Sequence, residues 1–146
     1  MAIKVSTGAR NKMLDTGSLK SIMALGFIKF YTGAAPATAD AAVTGTLLVT
    51  ISNNSTATGI NMAAAAVAGV LEKLSSETWS GVNAATGTAT YYRHVAVGDD
   101  GTSSTTQARI QGTIATAGAD MNLSSTSLTS AAIQTVDFYS IALPTA

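Results

Sequence analysis

FIKFYTGAAPATADAAVTGTLLVTIS, residues Phe27 to Ser52, places two β-like runs on either side of a connector built from small residues. Phe27, Lys29 and Tyr31 alternate with Ile28 and Phe30, so a pleated strand here sends one apolar set inward and leaves a more polar set outside. Between the runs, Gly33, Pro36 and the Ala/Thr-rich segment to Gly45 lack bulky apolar groups and break regular structure, which predicts a surface connection with no reactive site.

The same pattern continues to the end of the chain. Strands are expected at Phe27–Thr32, Thr46–Ile51, Val67–Leu74, Thr86–Val97, Ala108–Ala115 and Ile133–Leu143, with shorter pieces near Glu77–Ser80 and Met121–Leu123. In the fifth run Ile110, Gly112 and Ile114 alternate with Arg109, Gln111 and Thr113. In the last, Ile133, Thr135, Asp137 and Tyr139 alternate with Gln134, Val136, Phe138 and Ser140. Two-sided antiparallel sheets explain both, and the strand spacing predicts an all-β, jelly-roll-like β-sandwich. The loops Gly98–Thr106 and Gly118–Asp120 are turn material, rich in Asp, Gly and Ser. Ile60–Val70 carries an alanine run that favours helix, but Gly59, Gly69 and the β-branched residues after it favour an extended path.

Residues 1–26 read differently. Thr7 is placed to cap a helix carrying Ala9, Met13 and Leu14 and ended by Gly17. Ser18 is placed to cap another, carrying Leu19, Ile22 and Met23 before Gly26. Both are shorter than the roughly 12 residues at which isolated helices become marginal, so they must pack on the β-body or on a partner. The expected organisation is a helical N-terminal arm over residues 1–26 and one sandwich domain over 27–146, with no internal repeat.

Composition bounds the function. A chain of 146 residues buries roughly 68–70% of its unfolded surface as one domain without staples. Aromatic residues are 5% and charged residues only 11%, against about 25% charged in typical soluble domains. Such a surface suits a protein covered by neighbours in an assembly. Charge is split along the chain. Through Tyr31, five cations face one carboxylate, a net of +4, while the remainder sets three cations against seven carboxylates, a net of −4. A basic arm docking on an acidic surface is expected, with Lys4, Arg10, Lys12, Met13, Leu14 and Lys20 as its contact residues. No nucleic-acid partner is expected, because the arm has no run of adjacent Lys/Arg and no aromatics before Phe27. The opening MAIKVSTGARNKMLD has no apolar h-region, and the run Ile60–Leu71, interrupted by Asn61, falls short of the about 20 residues a helical span needs, so no membrane role is expected.

Candidate chemistry is sparse. There is no cysteine, and the one histidine, His94, lies inside a strand pattern, where a structural role is expected instead of a multi-histidine metal site. No GxSxG elbow accompanies the many serines, and no Gly-rich phosphate motif is present. Asp99–Asp100–Gly101 lacks the spacing and distal glutamate of a calcium loop and reads as a β-turn. No enzymatic activity, cofactor or metal is expected. Trp79 in SETWSG reads as an anchor of the core or of an intersubunit contact. A sugar-stacking module using Trp79, Tyr91 and Tyr92 is the reading from another class.

The succession TGARNKMLDTGSLKSIM (7–23), IKFYTGAAPATADAAVTGTLL (28–48), SETWSG (76–81), GTATYYRHV (87–95) and QGTIATAGADMNLSSTSLTSAAIQTVDFYSIALP (111–144) resembles a family of small virion proteins of tailed bacteriophages, encoded among head and morphogenesis genes. The resemblance spans nearly the whole chain and rests on the order of its motifs. It implies a β-sandwich structural protein assembled in the host bacterial cytoplasm and built into the particle, and it carries over no catalytic residues. The expected role is a capsid decoration or cement protein on the outer shell, bound to the major capsid protein or another virion protein and self-associated as a homo-oligomer, with a trimer favoured. A head–tail connector, collar or tail component is the alternative within the virion. Deleting Met1 to Asp15 is expected to abolish shell binding and leave the β-body folded.

Overall fold

The structure, a computed structural model, describes residues 3–143. It is an all-β, sandwich-like fold of antiparallel sheets with two short helices near the N-terminus. In chain order the elements are β1 (Lys4–Val5), α1 (Thr7–Asp15), α2 (Leu19–Ile22), β2 (Phe27–Tyr31), β3 (Leu47–Asn53), β4 (Val70–Glu72), β5 (Trp79–Val82), β6 (Gly87–Thr88), β7 (Tyr91–Val95), β8 (Arg109–Ala115), β9 (Met121–Asn122), β10 (Ser127–Leu128), β11 (Ile133–Thr135) and β12 (Ser140–Ala142). The main sheet runs β1-β8-β7-β2-β3-β5-β11, with β9 joined to β8 in parallel, and β10-β6 and β12-β4 form separate ribbons. Ile28, Phe30, Ile51 and Ile110 of the sheet share one core with Ile60, Met62, Leu71 and Ile141 from the segments that cover it. Complete burial of each such side chain contributes about 1.5–3 kcal/mol.

The expected alternation holds in β2, where Ile28 and Phe30 are fully buried. Gly112 sits opposite Tyr92 in the β7–β8 register, and a Cβ there would run into the Tyr92 ring. The glycine is what lets that ring lie flat across the neighbouring strand.

Three expected strands are broken. Val67–Leu74 is a hairpin: Val67 and Val70 exchange backbone hydrogen bonds at 2.9 Å around Ala68 (φ 52°) and Gly69 (φ 77°). Positive φ at both central residues is the type I′ geometry that matches strand twist, so β4 starts only at Val70. Thr86–Val97 changes sheets at Ala89–Thr90, because Ala89 donates to Thr126 while Thr90 donates to Tyr31. Ile133–Leu143 likewise hands over from β5 to β4: Val136 donates to the Trp79 carbonyl, whereas the Tyr139 carbonyl accepts from Lys73. The hand-over shifts the phase, so Val136 and Tyr139 are buried and Phe138 stands 92% exposed, against the strict alternation expected of that run. Ile60–Met62 is extended, held by isolated bridges from Ile60 to Gly26 and from Met62 to Lys73, and the rest of the segment bends and then turns at Ala68–Gly69.

The helix starts are decided by tertiary pairing. Ser6, not Thr7, caps α1: its backbone is extended and its hydroxyl oxygen accepts from the Ala9 amide. Pairing of β1 with β8 fixes Ser6 there, since the Arg109 amide also donates to the Ser6 hydroxyl oxygen and the hydroxyl donates to the Gln107 carbonyl. Thr7 is drawn to Asp40, to which its amide and hydroxyl both donate, at 2.8 and 2.6 Å. Ser18 caps α2 as expected.

The connector after β2 lies at the surface, as expected, but it also covers part of the sheet. Pro36 and Ala39 are buried, and residues 34–45 form a strap across the second face of β2, β7 and β8. That face carries Tyr31, Tyr91, Arg93, Arg109 and Gln111, all buried. A strap of small residues suits the place, because its exposed carbonyls are the acceptors a buried cationic layer requires.

Candidate functional surface

Under the strap the two arginines are treated differently. Arg109 donates to both carboxylate oxygens of Asp99, at 2.5 and 3.0 Å, and also to the carbonyls of Thr102, Ala39 and Asp40. Both side chains of this ion pair are almost wholly buried. Asp99 sits in the turn that the sequence predicts, its Oδ1 accepting from the Gly101 amide at 2.7 Å, but its role as counter-ion was not legible without the fold. Arg93 has no carboxylate. It donates to Gln111 Oε1 at 2.8 Å and to the Thr38 carbonyl at 3.3 Å, and its Nη1 is buried without a partner. Burial, and then the nearby Arg109 charge, pull its pKa below the usual value. Tyr91 closes the layer by stacking on Tyr31 at 5.1 Å and donating from its hydroxyl to the Thr44 carbonyl.

On the opposite face, Trp79 is 1% exposed. Its indole donates to Glu77 Oε2 at 2.9 Å, and Asn61 donates to the same carboxylate from both its amide and its side chain. Burial pushes the Glu77 carboxyl up, but the bonds from Asn61 and Trp79, with the charge of Lys73, outweigh it and hold the group below the usual range. The rings of Tyr139 and His94 pack against Trp79. His94 is fully enclosed, with Nδ1 3.1 Å from the Tyr139 hydroxyl and Nε2 unpartnered, and burial lowers its pKa from 6.5 to about 3. Trp79, Tyr91 and Tyr92 are all buried, so none of the three offers a ring face for sugar stacking.

No family model, curated protein or solved structure matches this chain. Function is therefore read from the surface itself. Among the described residues no three His, Asp or Glu side chains group as metal ligands, and no helix is long and apolar enough to cross a membrane.

The six residues expected to make arm contacts do not share one patch. Lys4 is exposed on β1 and reaches the Pro36 carbonyl at 3.4 Å, whereas Lys20 donates to the Ala64 carbonyl at 2.6 Å, in a different part of the surface. On α1, Arg10 and Leu14 lie one turn apart and share the solvent face, with Leu14 87% exposed. Lys12 and Met13 are half-buried toward the body. Residues 4–9 are built into the sheet edge and the core: β1 pairs with β8, Ala9 is fully buried, and a Cβ on Gly8 would run into the Thr106 and Gln107 backbone. On α1 the segment presents Arg10 and Leu14 outward, beside the exposed Asn11 and Asp15. Phe138 is the most exposed of the large apolar side chains, ahead of Leu14 and of Val67, Ile133 and Leu143, although strict alternation would set it on the same side as the buried Val136.

Proposed function

We propose that this chain is a structural protein of a tailed-bacteriophage virion, in the role of a capsid decoration protein that binds the outer shell. One observation supports this above the others. The side chains able to do chemistry, His94, Arg93, Arg109, Asp99 and Trp79, are buried and bonded or packed within the fold, while the surface is poor in charge and raises Leu14 and Phe138 into solvent. The order of the motifs that resemble small virion proteins points the same way. Shell binding then rests on modest contacts repeated over many copies, so that avidity, not a single strong bond, resists the pressure of packaged DNA.

The test is quantitative mass spectrometry of purified particles, with this chain counted against the major shell protein. A copy number of the same order as the shell protein supports decoration, a few copies per particle moves the chain to the connector, collar or tail, and its absence overturns the virion assignment. Deleting Met1 to Asp15 is a poor companion test, because it removes β1, the α1 cap and Ala9. The double variant Arg10→Glu, Leu14→Ser is better: stability is expected to change by no more than about 0.5 kcal/mol, as for exposed sites generally, while retention on particles falls. Unchanged retention would free α1 of any part in docking.

A further inference from the structure

Two edges of the main sheet come to one groove. β9 is joined to β8 off the path that ends in β1, and β11 ends the sheet on the other side, bonded to β5. Their free edges line the same groove. It comprises two adjoining hollows of about 180 and about 330 Å³ that share Met121, Asn122 and Phe138, together in the size range of peptide and ligand sites.

The backbone on each side is free to pair. In β11 the bonds Asn83 N–H to Ala132 O and Val136 N–H to Trp79 O, with the β11–β5 register, turn residues 132, 134 and 136 toward β5. By antiparallel alternation, Ile133 and Thr135 aim their amides and carbonyls the other way. In β9, Leu123 donates to the Ala115 carbonyl in the parallel register of Ala115 with Asn122, so the Asn122 amide and carbonyl face away from β8. Neither edge carries the Lys, Pro or covering segment with which soluble proteins usually blunt an open strand. The one cover is the Gln134 side chain, which donates to the Thr135 carbonyl at 2.9 Å. Asp120 and Asp137 line the hollows and no Lys or Arg does, while Phe138 projects between them, 92% exposed.

We infer that the groove between β9 and β11 binds an extended, basic peptide segment of a partner protein, which adds a strand between them. Main-chain bonds to Asn122 and Thr135 supply affinity, Asp120 and Asp137 select for Lys or Arg, and Phe138 packs on an apolar side chain of the incoming strand. This goes beyond the assignment to a virion and stands without it.

The experiment is amide hydrogen exchange on the full chain with the synthetic peptide Lys-Thr-Val-Thr-Val-Lys, its counterpart with Glu at both ends, and a version of the first with alternate amides N-methylated. The basic peptide is expected to slow exchange at Asn122, Thr135 and Asp137 by about tenfold or more at saturation, the other two are expected not to, and Asp137→Lys is expected to weaken binding of the basic peptide by about tenfold. No slowing by any peptide overturns the proposal. So does equal slowing by the acidic or N-methylated peptide, which would remove the charge or the strand pairing from the mechanism. Slowing at the same amides without peptide, as the protein concentration is raised, would give the groove to a second copy of this chain and overturn it as well.

Discussion

The two faces of β2, β7 and β8 are both dry, but they are dry for opposite reasons. One face carries Ile28, Phe30 and Ile110 into the apolar core. The other carries Arg93, Arg109, Gln111 and Tyr91 under a strap that supplies carbonyl acceptors. Alternation along a strand thus separates apolar from polar side chains without deciding whether the polar side is wet. Both faces contribute to holding the fold, the first through area removed from water and the second only while each charge keeps its partner.

The comparison breaks most sharply at Arg109. Arg109→Ala leaves Asp99 buried and uncompensated and is expected to cost about 3–5 kcal/mol in denaturant unfolding, as much as the about 3–5 kcal/mol expected for Phe30→Ala on the apolar face. A cost under about 1 kcal/mol at Arg109 would mean that the strap opens readily and the polar face is wet. Replacing the pair together, as Arg109→Met with Asp99→Leu, is expected to recover most of the loss, since a buried ion pair exchanged for packed apolar groups is often neutral or better.

Next comes the imidazole buried on the apolar side. The unfolded chain protonates His94 below about pH 6.5, and the folded chain refuses that proton until about pH 3. Its contribution is therefore intact above pH 6.5 and is lost at about 1.4 kcal/mol per unit as pH falls between those values. By pH 5, before unfolded carboxylates titrate appreciably, the loss is about 2 kcal/mol. His94→Gln is expected to flatten stability between pH 6.5 and 5 whatever its own baseline, and a slope unchanged by the substitution would show that the ring is hydrated.

The smallest effect belongs to Arg93. Arg93→Met removes two hydrogen bonds but also an unpaired buried charge, and these opposing terms leave a net change within about 1 kcal/mol of zero. A loss as large as that at Arg109 would mean that Arg93 answers to Asp99 through the field of the layer.

Sequence and structure part where bonding partners lie far along the chain. Short-range pattern was enough for β2, β3 and β8, whose branched and aromatic residues keep one period over five to seven positions. It failed for Val67–Leu74, which turns back at Ala68–Gly69, and for Thr86–Val97 and Ile133–Leu143, which change partner midway, because a period of two carries no record of which strand stands alongside. The candidate surface was legible in the same measure. Leu14 and Arg10 follow from helical spacing, whereas Phe138 is exposed only because the hand-over from β5 to β4 shifts the phase between Val136 and Tyr139.

By itself, the sequence determined the fold class, the Ser18 cap of α2 and the absence of cysteine chemistry, all properties of neighbours within a few residues. Tertiary structure alone decided that residues 34–45 cross the polar face of the sheet as a strap, that Asp99 answers Arg109 and that Arg93 has no carboxylate. It also decided that β9 and β11 line one groove with Asp120 and Asp137. Burial, ion pairing and edge exposure depend on what the chain brings back from 10 to 70 residues away, and no local period encodes that distance.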